Sequence, residues 1–276
     1  MTMRWLLCLL CLVPASPAAA LALYYEGSAS AATGEYVFTE RTLTASLVSG
    51  VALETGWLSL RASFPVWLQN STLVSTSGGG WVPSGGGIRS GAVRDSGLTS
   101  GRQGGRVHVD PADITGLRAA AGDPSLQASL RLLDAFGTNL RASFSVKVPV
   151  SSTDQFGTGE WDVGGAVSLG QRIGDATIAT VDVSYWYLGD LPTLELRDPL
   201  GASVRIARVM RVWAVGVSGS VSQSVVAGYD PPVTVGGELS RNVGAGSWGV
   251  QLGIGLSDTT PDVSAGVLWR LPIRGR

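Results

Sequence analysis

The chain has 276 residues, 15% of them charged, with 38 glycines and a formal net charge of −1. So even a balance excludes a strongly basic nucleic-acid binder. No segment beyond the N-terminus carries the run of about eighteen apolar residues that a membrane-spanning helix needs, which excludes a helical membrane protein.

Residues 1–22 read as a secretory signal: Arg4 gives the positive start, and Trp5 to Val13 is an apolar run too short to span a bilayer. Ala18-Ala19-Ala20 offers a small-residue site, with cleavage expected after Ala20 or Ala22. Both cysteines, Cys8 and Cys11, fall inside this segment. The mature chain, expected to be one domain over 23–276, therefore has no disulfide. With His108 as its sole histidine it also has no zinc cage, and no cofactor is expected.

Past the signal, apolar and polar residues alternate almost end to end. Leu43, Ala45, Leu47, Val51 and Leu53 oppose Thr42, Thr44 and Ser46. After a Glu54-Thr55-Gly56 turn, Leu58, Leu60, Ala62, Phe64, Val66 and Leu68 oppose Ser59, Arg61, Ser63 and Gln69. A long loop follows over 71–123; its Gly/Ser-rich part, Ser75–Gly105, is expected to be mobile or folded into a mouth. Leu126, Ala128, Leu130 and Leu132 then oppose Gln127, Ser129 and Arg131. Through Phe136-Gly137-Thr138 they lead to Leu140, Ala142, Phe144, Val146, Val148 and Val150 against Asn139, Arg141, Ser143, Ser145 and Lys147. Leu60-Arg61-Ala62-Ser63-Phe64 thus returns as Leu140-Arg141-Ala142-Ser143-Phe144.

The pattern continues with Trp161, Val163, Val167 and Leu169 against Asp162, Ser168 and Arg172, then a Gly174-Asp175 turn. Ala179, Val181, Val183, Tyr185 and Tyr187 oppose Thr180, Asp182 and Ser184. Five further segments centre on Val204 to Ile206, Trp213 to Val221, Val233 to Leu239, Trp248 to Leu256 and Val263 to Trp269. Successive side chains of a strand point to opposite faces, so each segment is a ribbon with one apolar and one polar side.

Each segment runs about nine to thirteen residues, the length of a tilted strand crossing a bilayer. In hydrocarbon every backbone polar group needs a partner, so such strands survive only in a closed sheet. The expected fold is an all-β, antiparallel, up-and-down transmembrane barrel. Eleven strands are evident, and single-chain bacterial barrels use even numbers. Twelve is therefore expected, with ten as the fallback; the missing strand lies near Tyr36–Thr39 or Arg106–Val109. Trp57, Trp161, Tyr185, Trp186, Tyr187, Trp248 and Trp269 fall near strand ends, where amphipathic rings meet the membrane interface. A soluble β-sandwich with tryptophans in its core is the competing architecture.

The polar face supplies the candidate lumen. Arg61, Arg131, Arg141, Lys147, Arg172 and Arg205 project there, against Asp162, Asp182 and Glu238. Such an excess of fixed cations favours anionic solutes. The alternative is that these charges pair across a plugged lumen. A catalytic reading has only His108, beside Asp110 and Asp113, and no serine in a nucleophile motif. A solvated loop histidine is the simpler account, and enzyme activity is not expected. Asp95, Asp110, Asp113 and Asp123 match no calcium-loop spacing, and neither glycine triplet, Gly78–Gly80 or Gly85–Gly87, is a phosphate loop.

Four motifs carry a resemblance: Gly122-Asp123-Pro124-Ser125-Leu126, Val146-Lys147-Val148-Pro149, Phe156-Gly157-Thr158-Gly159-Glu160-Trp161-Asp162-Val163 and Ser184-Tyr185-Trp186-Tyr187-Leu188-Gly189-Asp190. Together they resemble the bacterial outer-membrane barrels named after the meta-pathway of phenol degradation. The resemblance implies an outer-membrane barrel for small-molecule uptake. The chain is expected to act as a monomer in outer-membrane lipid, assembled by the barrel-insertion machinery, with aromatic compounds among the solutes it passes. It supplies no catalytic residue. Barrels of this kind usually end on an aromatic residue, whereas this chain runs past Trp269 to Arg276, which makes Trp269 the expected insertion signal. The expected function is a passive channel or transporter. A plugged structural or surface-interaction barrel and an outer-membrane lipid-modifying enzyme are the alternatives.

Overall fold

A computed structural model describes residues 21–38, 40–71, 73–78, 80–83, 117–151, 158–190 and 195–274. The barrel wall begins with β1 (Ala22–Gly34), β2 (Thr42–Glu54) and β3 (Leu58–Gln69). A small hairpin, β4 (Val74–Ser77) and β5 (Gly80–Pro83), stands apart from the wall. The wall resumes with β6 (Arg118–Ala121), β7 (Ser125–Ala135), β8 (Thr138–Lys147), β9 (Asp162–Ile173) and β10 (Thr177–Tyr187). It ends with β11 (Leu200–Met210), β12 (Trp213–Ser222), β13 (Val233–Val243), β14 (Gly246–Gly255) and β15 (Val263–Arg274).

Every neighbouring pair is antiparallel, β2 pairs β3 in sequence, and the ring closes where β1 pairs β15. The β6 and β7 segments occupy one wall position, so the barrel has twelve strands. Closure gives every full-length strand a neighbour on both sides. Tight connections such as Arg211–Val212 and Phe136–Gly137 lie at one end, with both strand termini Ala22 and Arg274; the long connections lie at the other. Phe136 and Gly137 both take positive φ, 55° and 79°. That is the geometry of a two-residue hairpin whose twist matches its strands.

The eleven segments seen in the alternation are all strands. The twelfth is neither Tyr36–Thr39 nor Arg106–Val109 but β1, directly after the expected signal. Its outward positions Gly27, Ala29 and Ala31 are too small to print an apolar stripe. Tyr36 to Phe38 instead form a turn and an isolated bridge, and residues 106–109 lie outside the described ones.

Apart from a register shift at Leu23 and Tyr24, where β1 meets the end of β15, two irregularities break the strict period. Leu132 is an extra residue where Arg131 pairs Arg141 but Leu133 pairs Leu140. At the second, Phe64 and Pro65 of β3 face three residues, Gly122 to Pro124, between β6 and β7. The Pro65 carbonyl accepts from Gly122 N–H at 2.8 Å, but on that same side proline has no N–H to give. The wall bulges there, and Asp123 turns inward and is buried.

Side chains divide as a membrane barrel requires. Outside, Leu47, Leu60, Leu169, Val217 and Leu252 are exposed and apolar, as are Phe64 and Phe144 of the repeated pentapeptide. Burial is instead concentrated at the long-loop end. One cluster joins Val82, Leu188, Leu196, Val225 and Val226; another joins Tyr36, Phe38, Leu73 and Val74. Burial raises the phenol pKa of Tyr229, and burial together with the nearby Asp262 carboxylate raises that of Tyr36, so both stay neutral.

Candidate lumen and its inner hairpin

The β4–β5 hairpin folds into the lumen. Trp81 meets the inward-facing Trp67 of β3 edge to face, with ring centroids 5.1 Å apart. Gln69 donates to the carbonyls of Ser71 and Val74 at 2.6 and 2.9 Å, holding the base of the hairpin. The tip crosses toward β9 and β10: Gly78 N–H donates to Asp162 Oδ2 at 2.7 Å. The Trp186 ring packs against Gly78 and Gly164, and a Cβ on either glycine would strike the indole. Trp186 therefore points into the lumen, not to the membrane interface. The alternation held this information, since Tyr185 and Tyr187 on either side of it point outward.

The tip is held by a buried ionic cluster around the chain's single lysine. Lys147 Nζ lies 3.1 Å from Asp123 Oδ2 and 3.1 Å from Asp162 Oδ2, and donates to Thr158 Oγ1 at 2.6 Å. Asp162 Oδ1 also accepts from Gly189 N–H at 3.0 Å, and Asp123 Oδ1 accepts from Val150 and Ser151 N–H at 2.9 and 2.8 Å. Charges this deeply buried persist only when paired and fully hydrogen-bonded.

Elsewhere the lumen charges are paired more closely than the alternation foretold. Arg61 lies 3.4 Å from Glu26 and 3.8 Å from Glu54, and Arg270 reaches the same two carboxylates at 3.2 and 2.6 Å while stacking on Tyr24. Arg205 pairs with Glu238, and Ser203 donates to Asp182 at 3.2 Å. Arg131 pairs with Asp134 at 2.9 Å, and Arg141 donates to Asn139 at 2.9 Å. Of the lumen cations expected from the alternation, Arg141 and Arg172 have no acidic partner among the described residues; both stand near the short turns. The expected surplus of six cations over three anions is thus corrected, because Glu26, Glu54, Asp123 and Asp134 also contribute. Glu26 went unseen with β1, and Arg270 because it follows Trp269.

Two cavities remain beside the hairpin. One, of about 730 Å³, is lined by Glu26, Arg61, Trp67, Lys147, Trp186, Arg205, Glu238 and Arg270, with Thr76 to Gly78 of the hairpin. The other, of about 560 Å³, is lined by Gly80 and Trp81 and by a wall of hydroxyls that includes Ser203, Ser220, Thr234 and Ser264, with Asp182. Both reach Glu238.

The remaining aromatic residues form two belts. Trp161, Tyr185 and Tyr187 are exposed outside at the long-loop end. Trp248 and Trp269 face outward toward the short turns, with Trp213 beside them. Trp57 sits in the β2–β3 turn, beside a small recess that Arg131 and Arg141 also line. His108, Asp110, Asp113 and Asp95 lie outside the described residues.

A closed twelve-stranded ring with an apolar exterior, two aromatic belts and a charged interior is the fold of an outer-membrane β-barrel. Solved structures agree. The COG4313 outer-membrane channel from Pseudomonas putida F1 matches with a TM-score of 0.62 at 14% identity, over 94% of this chain and 97% of that one. The KdgM porin matches with a TM-score of 0.50 at 7% identity, over 90% of this chain and 99% of that one. The same porin in complex with disordered oligogalacturonate gives 0.50 and 7%, over 92% and 99%. No family model matches the chain, and no curated protein matches it.

Proposed function

We propose that the chain is a passive outer-membrane channel for small polar solutes, of the type named after the meta-pathway of phenol degradation. The observation that carries this reading is the pair of cavities that flank the inner hairpin and both reach Glu238. The hairpin narrows the lumen without filling it, and polar side chains line the space left. The chain acts as a monomer in outer-membrane lipid after assembly by the barrel-insertion machinery, since its ring closes without a second copy. A modest anion preference is assigned to Arg141 and Arg172, the lumen cations without carboxylate partners. The indole faces of Trp67 and Trp186 suit aromatic solutes among those that pass.

Reconstitution into planar bilayers tests this directly. Discrete conductance steps are expected, with a reversal potential weakly favouring anions that moves toward neutrality in Arg141→Gln/Arg172→Gln. A silent bilayer, with the barrel shown folded, would sink the channel reading. It would favour the plugged structural barrel, which the doubly anchored hairpin also supports.

Signal cleavage is assigned after Ala20. The first strand begins at Ala22, which pairs Glu54, so cleavage after Ala22 would remove a paired residue. Intact mass of the protein purified from outer membranes should correspond to a chain beginning at Leu21; a start at Leu23 would overturn the assignment.

A further inference from the structure

The lipid-facing side of the barrel carries almost no charge. Taking the outward positions of the twelve strands in turn, the described charged residues there are Arg208 on β11 and Arg241 on β13. Their outward neighbours along the strands are apolar: Val204, Ile206 and Met210 for the first, Val235, Leu239 and Val243 for the second. An arginine facing lipid costs about 2–4 kcal/mol at mid-bilayer and little near the interface. Both stand within three residues of a short turn, so both are at the interface.

The surroundings of Arg241 are specific. In register it lies between Trp213 of β12 and Trp248 of β14. The two indoles approach edge to face at 5.9 Å, and the Arg241 Cζ sits 5.3 Å from the Trp213 ring centroid. The guanidinium thus packs against the ring of Trp213 on β12, the strand that on its other side pairs with β11, where Arg208 stands. By strand geometry the two Cα atoms are roughly 12 Å apart, a gap that two arginine arms reaching from either side can close on one anion. Neither arginine forms an ion pair with a described carboxylate, although the lumen arginines Arg61, Arg205 and Arg270 all do. Two unneutralised cations framed by indoles, in an otherwise apolar surface, are complementary to a charged headgroup above acyl chains.

We propose that Arg241 and Arg208, framed by Trp213 and Trp248, bind the phosphate of an anionic glycerophospholipid in the leaflet that borders the short turns. The guanidinium groups donate to phosphate oxygens, the indoles cover the glycerol region, and the acyl chains lie along Val215, Leu239 and Val250.

Native mass spectrometry of the full chain, released from detergent with phosphatidylglycerol or phosphatidylcholine, tests the site. One retained phosphatidylglycerol is expected, in clear excess over phosphatidylcholine. Arg241→Gln and Arg208→Gln should each weaken retention by about five-fold, the share of one interfacial arginine, while the unheated protein keeps the gel mobility of a folded barrel. Equal retention of the two lipids, or undiminished phosphatidylglycerol on folded Arg241→Gln, overturns the proposal. If Arg241→Gln loses the folded mobility, the same comparison on Arg208→Gln decides.

Discussion

Replacing Val74–Pro83 by a short Gly-Ser linker is expected to raise single-channel conductance several-fold. The hairpin is the described element that crosses the lumen, and its two strands face different cavities: Thr76 to Gly78 one, Gly80 and Trp81 the other. Removing it merges these spaces and exposes the polar wall from Arg61 to Ser220. The wall itself should survive, because β4 and β5 pair only with each other. Conductance through a wide pore also discriminates less, so the reversal potential should fall toward zero in the same variant. Unchanged conductance in a folded variant would mean that ions pass elsewhere, and the hairpin would lose its role as the constriction.

Lys147→Met is expected to destabilise the folded barrel by about 3–5 kcal/mol, the usual cost of removing one partner from a buried ion pair. Asp123 is 7% exposed and Asp162 0%, so neither carboxylate can recover its hydration. The backbone donors Gly78 and Gly189 still satisfy Asp162 in part, but its charge is left uncompensated. Adding Asp162→Asn to Lys147→Met should therefore restore part of the loss, since it removes a buried charge while the amide oxygen still accepts from one of the two N–H groups. Urea unfolding followed by the loss of heat-modifiable mobility provides the measurement. A single-variant loss below about 1 kcal/mol, the range of an exposed pair, would show that water reaches the cluster.

The wall was legible because lipid enforces a period of two on every strand. Leu140 to Val146 shows that enforcement plainly; Gly27, Ala29 and Ala31 of β1 do not, because they are too small to print an apolar stripe and the Trp269 ring fills the space over Gly27. Missing β1 hid Glu26 and with it the pairing of Arg61. The inward course of Trp186 follows from parity with Tyr185 and Tyr187, but the habit of assigning aromatic residues to the interface outweighed it. That Ser75–Gly105 could fold into a mouth was legible, but not that Val74–Pro83 forms a hairpin or what anchors it. The tip residues are small and polar, and what holds the hairpin is tertiary: a tryptophan on β3, an aspartate at the start of β9, and loop residues more than a hundred positions away. Sequence spacing within 71–123 contains none of these partners.

The wall position shared by β6 and β7 has a mechanical consequence. Nearly every other neighbouring pair is laced by an unbroken register, whereas here Pro65 withholds a donor and three residues bow away from two. A cylinder held by hydrogen bonds opens where its lacing is thinnest. Breathing of the barrel, and its first step toward unfolding, are therefore expected along this line, whereas the β1–β15 junction is paired from Tyr24 to Thr33 and shifts register only at its end. The same bow carries Asp123 to Lys147. The weakest line of the cylinder and the fastening of its inner hairpin are thus one piece of chain, and a strain that parts the wall there loosens the hairpin with it.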